Sequence, residues 1–263
     1  MLILKNIRLA SKTTGVLRLF LCGAALTSVA LTQMSQTQPG GEPKKGDIAA
    51  AVDRLKQGDV NLADINRIAR AGAVQAIPGL KKQFELAQDG LSKDSMASAL
   101  VRLGDKDPIW WEYVAQQATA AIESDAPCPM GFDLNGKTVP GPSSEFIAWA
   151  KVHSLTINAA EEIAVRELPG KVAFLAETRD RRAIPLLQRA LSSPNVLIQT
   201  RAAQALEEFQ DKGSIPLIVG ACRRAPADAA AAIANFSLAR WGDPDAKNAA
   251  SEFMPATPPK EAK

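Results

Sequence analysis

One histidine and one tyrosine occur in 263 residues, with three cysteines. That scarcity removes most of the side chains from which metal centres and nucleophilic triads are built. A cysteine–histidine nucleophile would need Cys128 beside His153 and a third group to orient the ring. The alternative is a structural histidine on a helix beside Trp149. Zinc lacks its usual spacing, because one histidine and two distant cysteines do not make a ligand set. Asp125, Asp133 and Asn135 hold only a fragment of a calcium loop, without the alternating acids and closing glutamate. Asp133-Leu134-Asn135-Gly136 reads first as a turn. The expectation is a protein without catalytic residues, cofactor or metal.

A membrane-spanning run is also missing near the start. The apolar stretch Leu19 to Leu31 has 13 residues, and a spanning helix needs about 20. It follows Lys5, Arg8, Lys12 and Arg18 with no acid among them, and Ser28-Val29-Ala30 places small residues where a signal peptidase reads. Residues 1–30 therefore read as a secretory signal peptide, with an uncleaved membrane anchor as the alternative. Cys22 follows Leu21 inside the apolar run, which does not make a lipobox. The expected location is periplasmic or extracellular. The formal charge of the whole chain is +3, but without the four leader cations 27 cations face 28 anions, giving −1. No general basic surface remains for nucleic acid or anionic lipid. Residues 31–46, with Pro39-Gly40-Gly41 and Pro43-Lys44-Lys45, read as a disordered leader, and residues 254–263 as a disordered tail.

What the chain does have is repetition. Ala183-Ile184-Pro185-Leu186-Leu187 returns as Ser214-Ile215-Pro216-Leu217-Ile218, 31 residues on. Leu206 in Ala205-Leu206-Glu207-Glu208-Phe209-Gln210-Asp211 returns as Leu238 in Ser237-Leu238-Ala239-Arg240-Trp241-Gly242-Asp243, 32 residues on. A fixed period of this size marks a solenoid. Ile184, Leu187 and Leu191 share one helical face, and Pro185 and Pro216 fall in a first turn, where a missing N–H costs nothing. A second helix runs from Val196 to Phe209, with Ile198, Ala202, Ala205, Leu206 and Phe209 apolar. Neither hairpin can bury its apolar face alone, so the predicted fold is all-α, an α-solenoid of stacked hairpins over residues 47–253.

These tokens, with Ala202-Ala203-Gln204-Ala205-Leu206, resemble the short HEAT-like repeat, the type also seen in phycobilin lyase subunits. The likeness covers residues 180–243 well and 61–124 fairly. Where that family has a Val-Arg pair, this chain has Ile198-Gln199, with Arg201 two residues later. The tetratricopeptide Trp/Gly/Tyr pattern and the ankyrin Thr-Pro-Leu-His token are absent. The resemblance implies a fold rather than a function.

Earlier in the chain, Asp47 is placed as the N-cap of a helix to Leu55, followed by a helix Leu62 to Ala71. Ile77-Pro78-Gly79-Leu80 repeats the hairpin opening, and Ala99-Leu100-Val101-Arg102-Leu103-Gly104-Asp105 repeats its end. The 106 residues from Leu100 to Leu206 then hold three periods with about ten residues over. That surplus is assigned to the loop 125–143, where Phe132 to Val139 alternates around Asn135-Gly136 and predicts a small β-hairpin projecting from the stack. Helices are expected from Ser144, from Ile157 to a break at Pro169-Gly170, over Val172 to Ala176, and as a cap over Pro244 to Phe253.

Trp110, Trp111, Tyr113 and Trp149 flank the loop and, with Phe132 inside it, are the candidate partner-binding residues. Adjacent Trp110 and Trp111 cannot share a helix face. Either one faces outward to a partner or both close the gap in the irregular repeat. Cys128 and Cys222 could pair after export; otherwise Cys222 is a buried small hydrophobe and Cys128 a lone loop thiol. Arg181-Arg182 and Arg223-Arg224 read as charges at helix ends. The functional expectation is an exported, non-catalytic scaffold that binds a protein partner on a concave helical face. Two alternatives stand beside it: a lyase-like or chaperone-like accessory to a chromophore-bearing or cofactor-bearing partner, and a structural envelope spacer.

Overall fold

The computed structural model describes residues 45–254 apart from Val60. The expected signal peptide, the leader up to residue 44 and the tail from residue 255 lie outside these residues. No helix among the described residues is long and apolar enough to cross a membrane.

The architecture is an all-α solenoid. Helices pair as α1 (Lys45–Gln57) with α2 (Leu62–Arg70), α3 (Ile77–Leu86) with α4 (Gly90–Arg102), and α5 (Pro108–Ile122) with a later helix, α8 (Leu168–Glu177). Then α9 (Ile184–Ala190) pairs with α10 (Val196–Glu208), α11 (Ile215–Arg224) with α12 (Ala227–Phe236), and α13 (Pro244–Ser251) closes the end. The second helices stack on one another in the order α2, α4, α8, α10, α12 and form one layer. Each puts a fully buried anchor into the shared core: Ile68, Leu100, Leu175, Leu206 and, just past α12, Leu238, all 0% exposed.

The hairpin openings are equivalent, as their repetition implies. A 3-10 turn, Val74–Ala76, Arg181–Ala183 or Lys212–Ser214, leads into Ile-Pro at the start of α3, α9 and α11. Ile184 and Ile215 have the same backbone (φ −54° each), and Leu187 and Ile218 beyond them are both fully buried. The closings are equivalent too. After α2, α4 and α10 the chain turns left-handed at Gly72, Gly104 and Gln210, and the next amide reaches back to the anchor carbonyl: Ala73 to Ile68, Asp105 to Leu100, Asp211 to Leu206. This is the Schellman closure. Asp105 and Asp211 follow two of these turns, Asp180 follows the left-handed Arg179, and Asp243 holds the corresponding place in the last repeat. Asp180 accepts from the Arg182 amide, and Asp243 from the Asp245 amide.

The middle of the chain departs from expectation. Leu100 and Leu175 are consecutive anchors although 75 residues separate them, and Leu175 to Leu206 is the ordinary 31. The surplus is therefore one long insertion between α5 and α8, not a short loop in an array of three periods. It contains β1 (Met130–Phe132), β2 (Thr138–Pro142), α6 (Ser144–Val152), α7 (Ile157–Glu161) and a π-helical turn, Glu162–Glu167. That turn corrects a second expectation. The helix does not break at Pro169-Gly170, but runs on from α7 through the π turn into α8. Proline has no N–H and its ring crowds the carbonyl four residues back. The wider turn, closed by the Leu168 amide on the Ile163 carbonyl, removes that conflict.

Smaller differences have local causes. The first helix begins at Lys45, so Asp47 lies in its first turn rather than at its cap. The last repeat's second helix stops at Phe236. Ser237 turns its hydroxyl back to donate to the Ile233 carbonyl at 2.6 Å, and Leu238–Arg240 continues as a 3-10 turn.

Candidate partner-binding surface

Two residues past each anchor, the second-helix layer carries a charge: Arg70, Arg102, Glu177, Glu208 and Arg240. Stacked repeats bring these positions side by side, so the layer displays a ladder of two cations, two anions and a cation. Arg70 and Arg102 are the last residues of α2 and α4, where the helix dipole favours them. Glu177 and Glu208 sit at the same end of α8 and α10, where the dipole disfavours them. Arg179, itself left-handed at φ 57°, compensates Glu208 at 2.8 Å.

Glu177 has no such partner. Burial pushes its carboxyl above the ordinary carboxylate range, against the pull of Arg70 and Arg102. Burial likewise lowers the Arg102 guanidinium, helped by the neighbouring Arg179 and Arg70, and burial lowers Arg201. Among the described residues, Arg70, Arg102 and Arg201 form no ion pair within 4.0 Å. Arg102 donates instead to the Glu177 main-chain carbonyl at 3.5 Å, and Arg201 to Gln204 Oε1 at 3.1 Å. The ladder is therefore partly stripped of water and internally under-compensated, which is costly in isolation.

A small cleft opens among these groups, lined by Asn66, Ala69 and Arg70 of α2, by Ser95, Ser98, Ala99 and Arg102 of α4, and by Glu177. Its volume is about 10 Å³, room for roughly one water molecule. Ser98 Oγ is spent on the Phe174 carbonyl at 2.8 Å. Ser95 is 2% exposed and its Oγ has no hydrogen-bond partner.

The insertion behaves differently from the expected projecting arm. The β-hairpin forms as predicted, pairing Phe132 with Thr138, and Asp133 Oδ1 accepts from the Asn135 and Lys137 amides to shape its turn. It then docks on the last repeat. Asp228, in the first turn of α12, takes the Thr138 amide at 2.8 Å and Lys137 Nζ at 3.1 Å, while its own amide donates to the Gly136 carbonyl. Cys128, Val196 and Ala229 form a buried cluster beneath it, with Met130 and Phe132 against them. Leu134 at the hairpin tip is left wholly in solvent, and Val139, Ile147 and Val152 of the insertion are exposed as well.

The candidate aromatic residues are not brought together. Trp110 is core, 5% exposed, meets the Phe84 edge at 5.0 Å and donates its N–H to Asp105. Tyr113 also meets Phe84 in a T-shaped contact, at 5.3 Å, and burial raises its hydroxyl to about 12. Trp111 is half-buried beneath the Arg182 guanidinium, 4.4 Å from its ring centre. Trp149 stacks on Phe146 in a separate cluster within the insertion and donates to Asp125. Phe132 belongs to the hairpin cluster. His153 ends α6, its Nδ1 3.0 Å from the Trp149 carbonyl.

The structure does not pair Cys128 with Cys222. Both are free and buried, in different clusters, and burial raises both thiols, Cys222 to about 12. Such thiols are poor nucleophiles. The arginine pairs are also engaged: Arg182 on Asp180, Arg181 at 3.8 Å from Asp211, Arg223 on Glu252, and Arg224 on the Leu191 carbonyl. Sequence reasoning missed the ladder and the cleft. The signal was present in the residues two past Leu100, Leu206 and Leu238, but it gains meaning only once the stacking order is known.

The family model for HEAT repeats matches residues 164–239. That segment is HEAT-like. The match begins within the π turn, where the insertion ends, and spans α8 to α12 with the 3-10 turn behind it. No curated protein and no solved structure matches the chain.

Proposed function

We propose that the protein is an exported, non-catalytic HEAT-repeat scaffold that binds a protein partner across its second-helix layer. One observation carries this reading: Arg102 and Glu177 are partly desolvated, and together with the exposed Arg70 they are incompletely matched by charge within the chain itself. A partner that supplies the missing charge would recover that cost on binding. Glu177 and Glu208 at helix ends that disfavour acids support the same reading, since local rules are broken most often at functional positions. Trp110, being core, is left out of this surface.

The test is partner capture. The mature chain is crosslinked in the exported fraction of its own cells and its neighbours are identified by mass spectrometry. A discrete protein that is lost with Arg70→Glu, and kept with an exposed control such as Lys82→Glu, is the expected result. Recovery of no specific protein would overturn the scaffold reading. Export itself is checked by mapping the mature N-terminus, expected near residue 31.

A further inference from the structure

We infer that the cleft between α2, α4 and α8 receives a single carboxylate side chain of the partner, an inference that rests on the scaffold reading. Three observations converge on that ligand. Arg70 and Arg102 both line the cleft, and neither has an ion-pair partner among the described residues. Guanidinium forks match a carboxylate in plane, with two parallel N–H bonds. The Ser95 hydroxyl lines the cleft, is buried, and is left without a hydrogen-bond partner while Ser98 next to it is satisfied. A buried hydroxyl of that kind is costly until something accepts its proton.

The size and charge of the cleft select among anions. A space of about 10 Å³ admits one oxygen atom, not a tetrahedral phosphate. Glu177 lines the cleft with the two arginines, so two cations and one anion leave a single positive charge to be matched, and Glu177 opposes a second negative charge. A monovalent glutamate or aspartate side chain satisfies both limits: one oxygen enters to accept from Ser95, and the other stays at the mouth for the arginines. Small residues on the cleft wall, Ala69 and Ala99, leave the approach open.

The experiment uses the mature protein labelled with nitrogen-15, titrated with three capped Gly/Ser pentapeptides. One carries a central glutamate, one a glutamine, and one a phosphoserine. Arginine Nε–H shifts are followed at Arg70 and Arg102. The glutamate peptide is expected to bind about tenfold tighter than the glutamine peptide, to weaken with salt, and to shift both arginines. Arg70→Ala, at an exposed position, and Ser95→Ala are each expected to reduce that preference at unchanged helical content. Equal binding of glutamate and glutamine peptides would overturn the inference, and so would tightest binding by phosphoserine. Captured partner that persists while the glutamate preference is absent would sink the cleft assignment and leave the scaffold standing.

Discussion

Asp94 is 3% exposed, with one carboxylate oxygen 2.5 Å from Lys171 Nζ and the other without a partner. The pair ties α4 to α8, two helices that α5 and the insertion separate in sequence. Breaking such a pair from one side leaves an uncompensated buried charge. Lys171→Met should therefore cost about 3–5 kcal/mol in denaturant unfolding, with much of the loss recovered when Asp94→Asn is added. Asp64 is the contrasting residue. Arg54 holds it with two bonds at 2.7 and 2.8 Å, Arg67 at 2.6 Å, and Asn61 at 2.8 Å. The Arg54 hydrogen bond, ahead of smaller contributions, holds its carboxyl below the usual range. Its stabilisation is complete above the unfolded carboxylate value and is lost as pH falls through the lower, folded one. Asp64→Asn should lower stability at neutral pH and flatten the acid side of the stability curve. An unchanged acid limb in that variant would refute this account.

At the scale of elements, the π turn leaves the helical ladder locally mismatched, and Asn195 repairs it. Its amide donates to the Ala164 carbonyl at 2.8 Å, while its Oδ1 accepts the Leu197 amide and caps α10. One fully buried side chain thus joins the irregular helix of the third repeat to the next helix pair. Removing both bonds with Asn195→Ala should cost about 2–4 kcal/mol, a cap plus an orphaned carbonyl. Asn195→Asp keeps the cap but sets an acceptor against the Ala164 carbonyl. If calorimetry finds it as stable as the parent, the carbonyl bond contributes nothing. The helix-end carboxylates belong to this scale too. Glu177→Gln should raise the melting temperature at neutral pH, because the raised carboxyl destabilises the fold once ionised. That advantage should shrink as pH falls below the folded value.

Over the whole described molecule, the insertion acts as a strap from the third repeat to the fifth. The contact between Lys137 and Asp228 spans 91 residues of sequence. Ordinary solenoids couple only neighbouring repeats, so this latch should make the C-terminal repeats unfold together with the third. Gly136 is where it closes. A Cβ there would stand 2.4 Å from the Ala227 nitrogen, and the residue has φ +73°. Gly136→Ala should lift the hairpin, cost about 1–3 kcal/mol, and speed hydrogen exchange at the Thr138 and Asp228 amides while sparing Ile65 and Ile68. Exchange unchanged at Asp228 would show that the hairpin bears no load.

Repetition of Ile-Pro openings and Leu-to-Asp closings was legible because each reports a local backbone geometry: a proline-tolerant first turn and a left-handed stop. The Asn-Gly hairpin was legible for the same reason. The closing at Leu175 was not, since Thr178 stands where the recognised closings have Leu103, Phe209 and Trp241, and Arg179 stands where Gly72 and Gly104 stand. The length of the insertion was hidden with it. Helix, turn and repeat are thus determined by neighbours within a few residues, and the sequence alone specified them. Where the hairpin docks, how Pro169 escapes breaking its helix, and which charges stand side by side were decided only by tertiary structure. Those outcomes depend on surfaces that meet after tens of residues have folded back, and no local pattern encodes which surfaces meet.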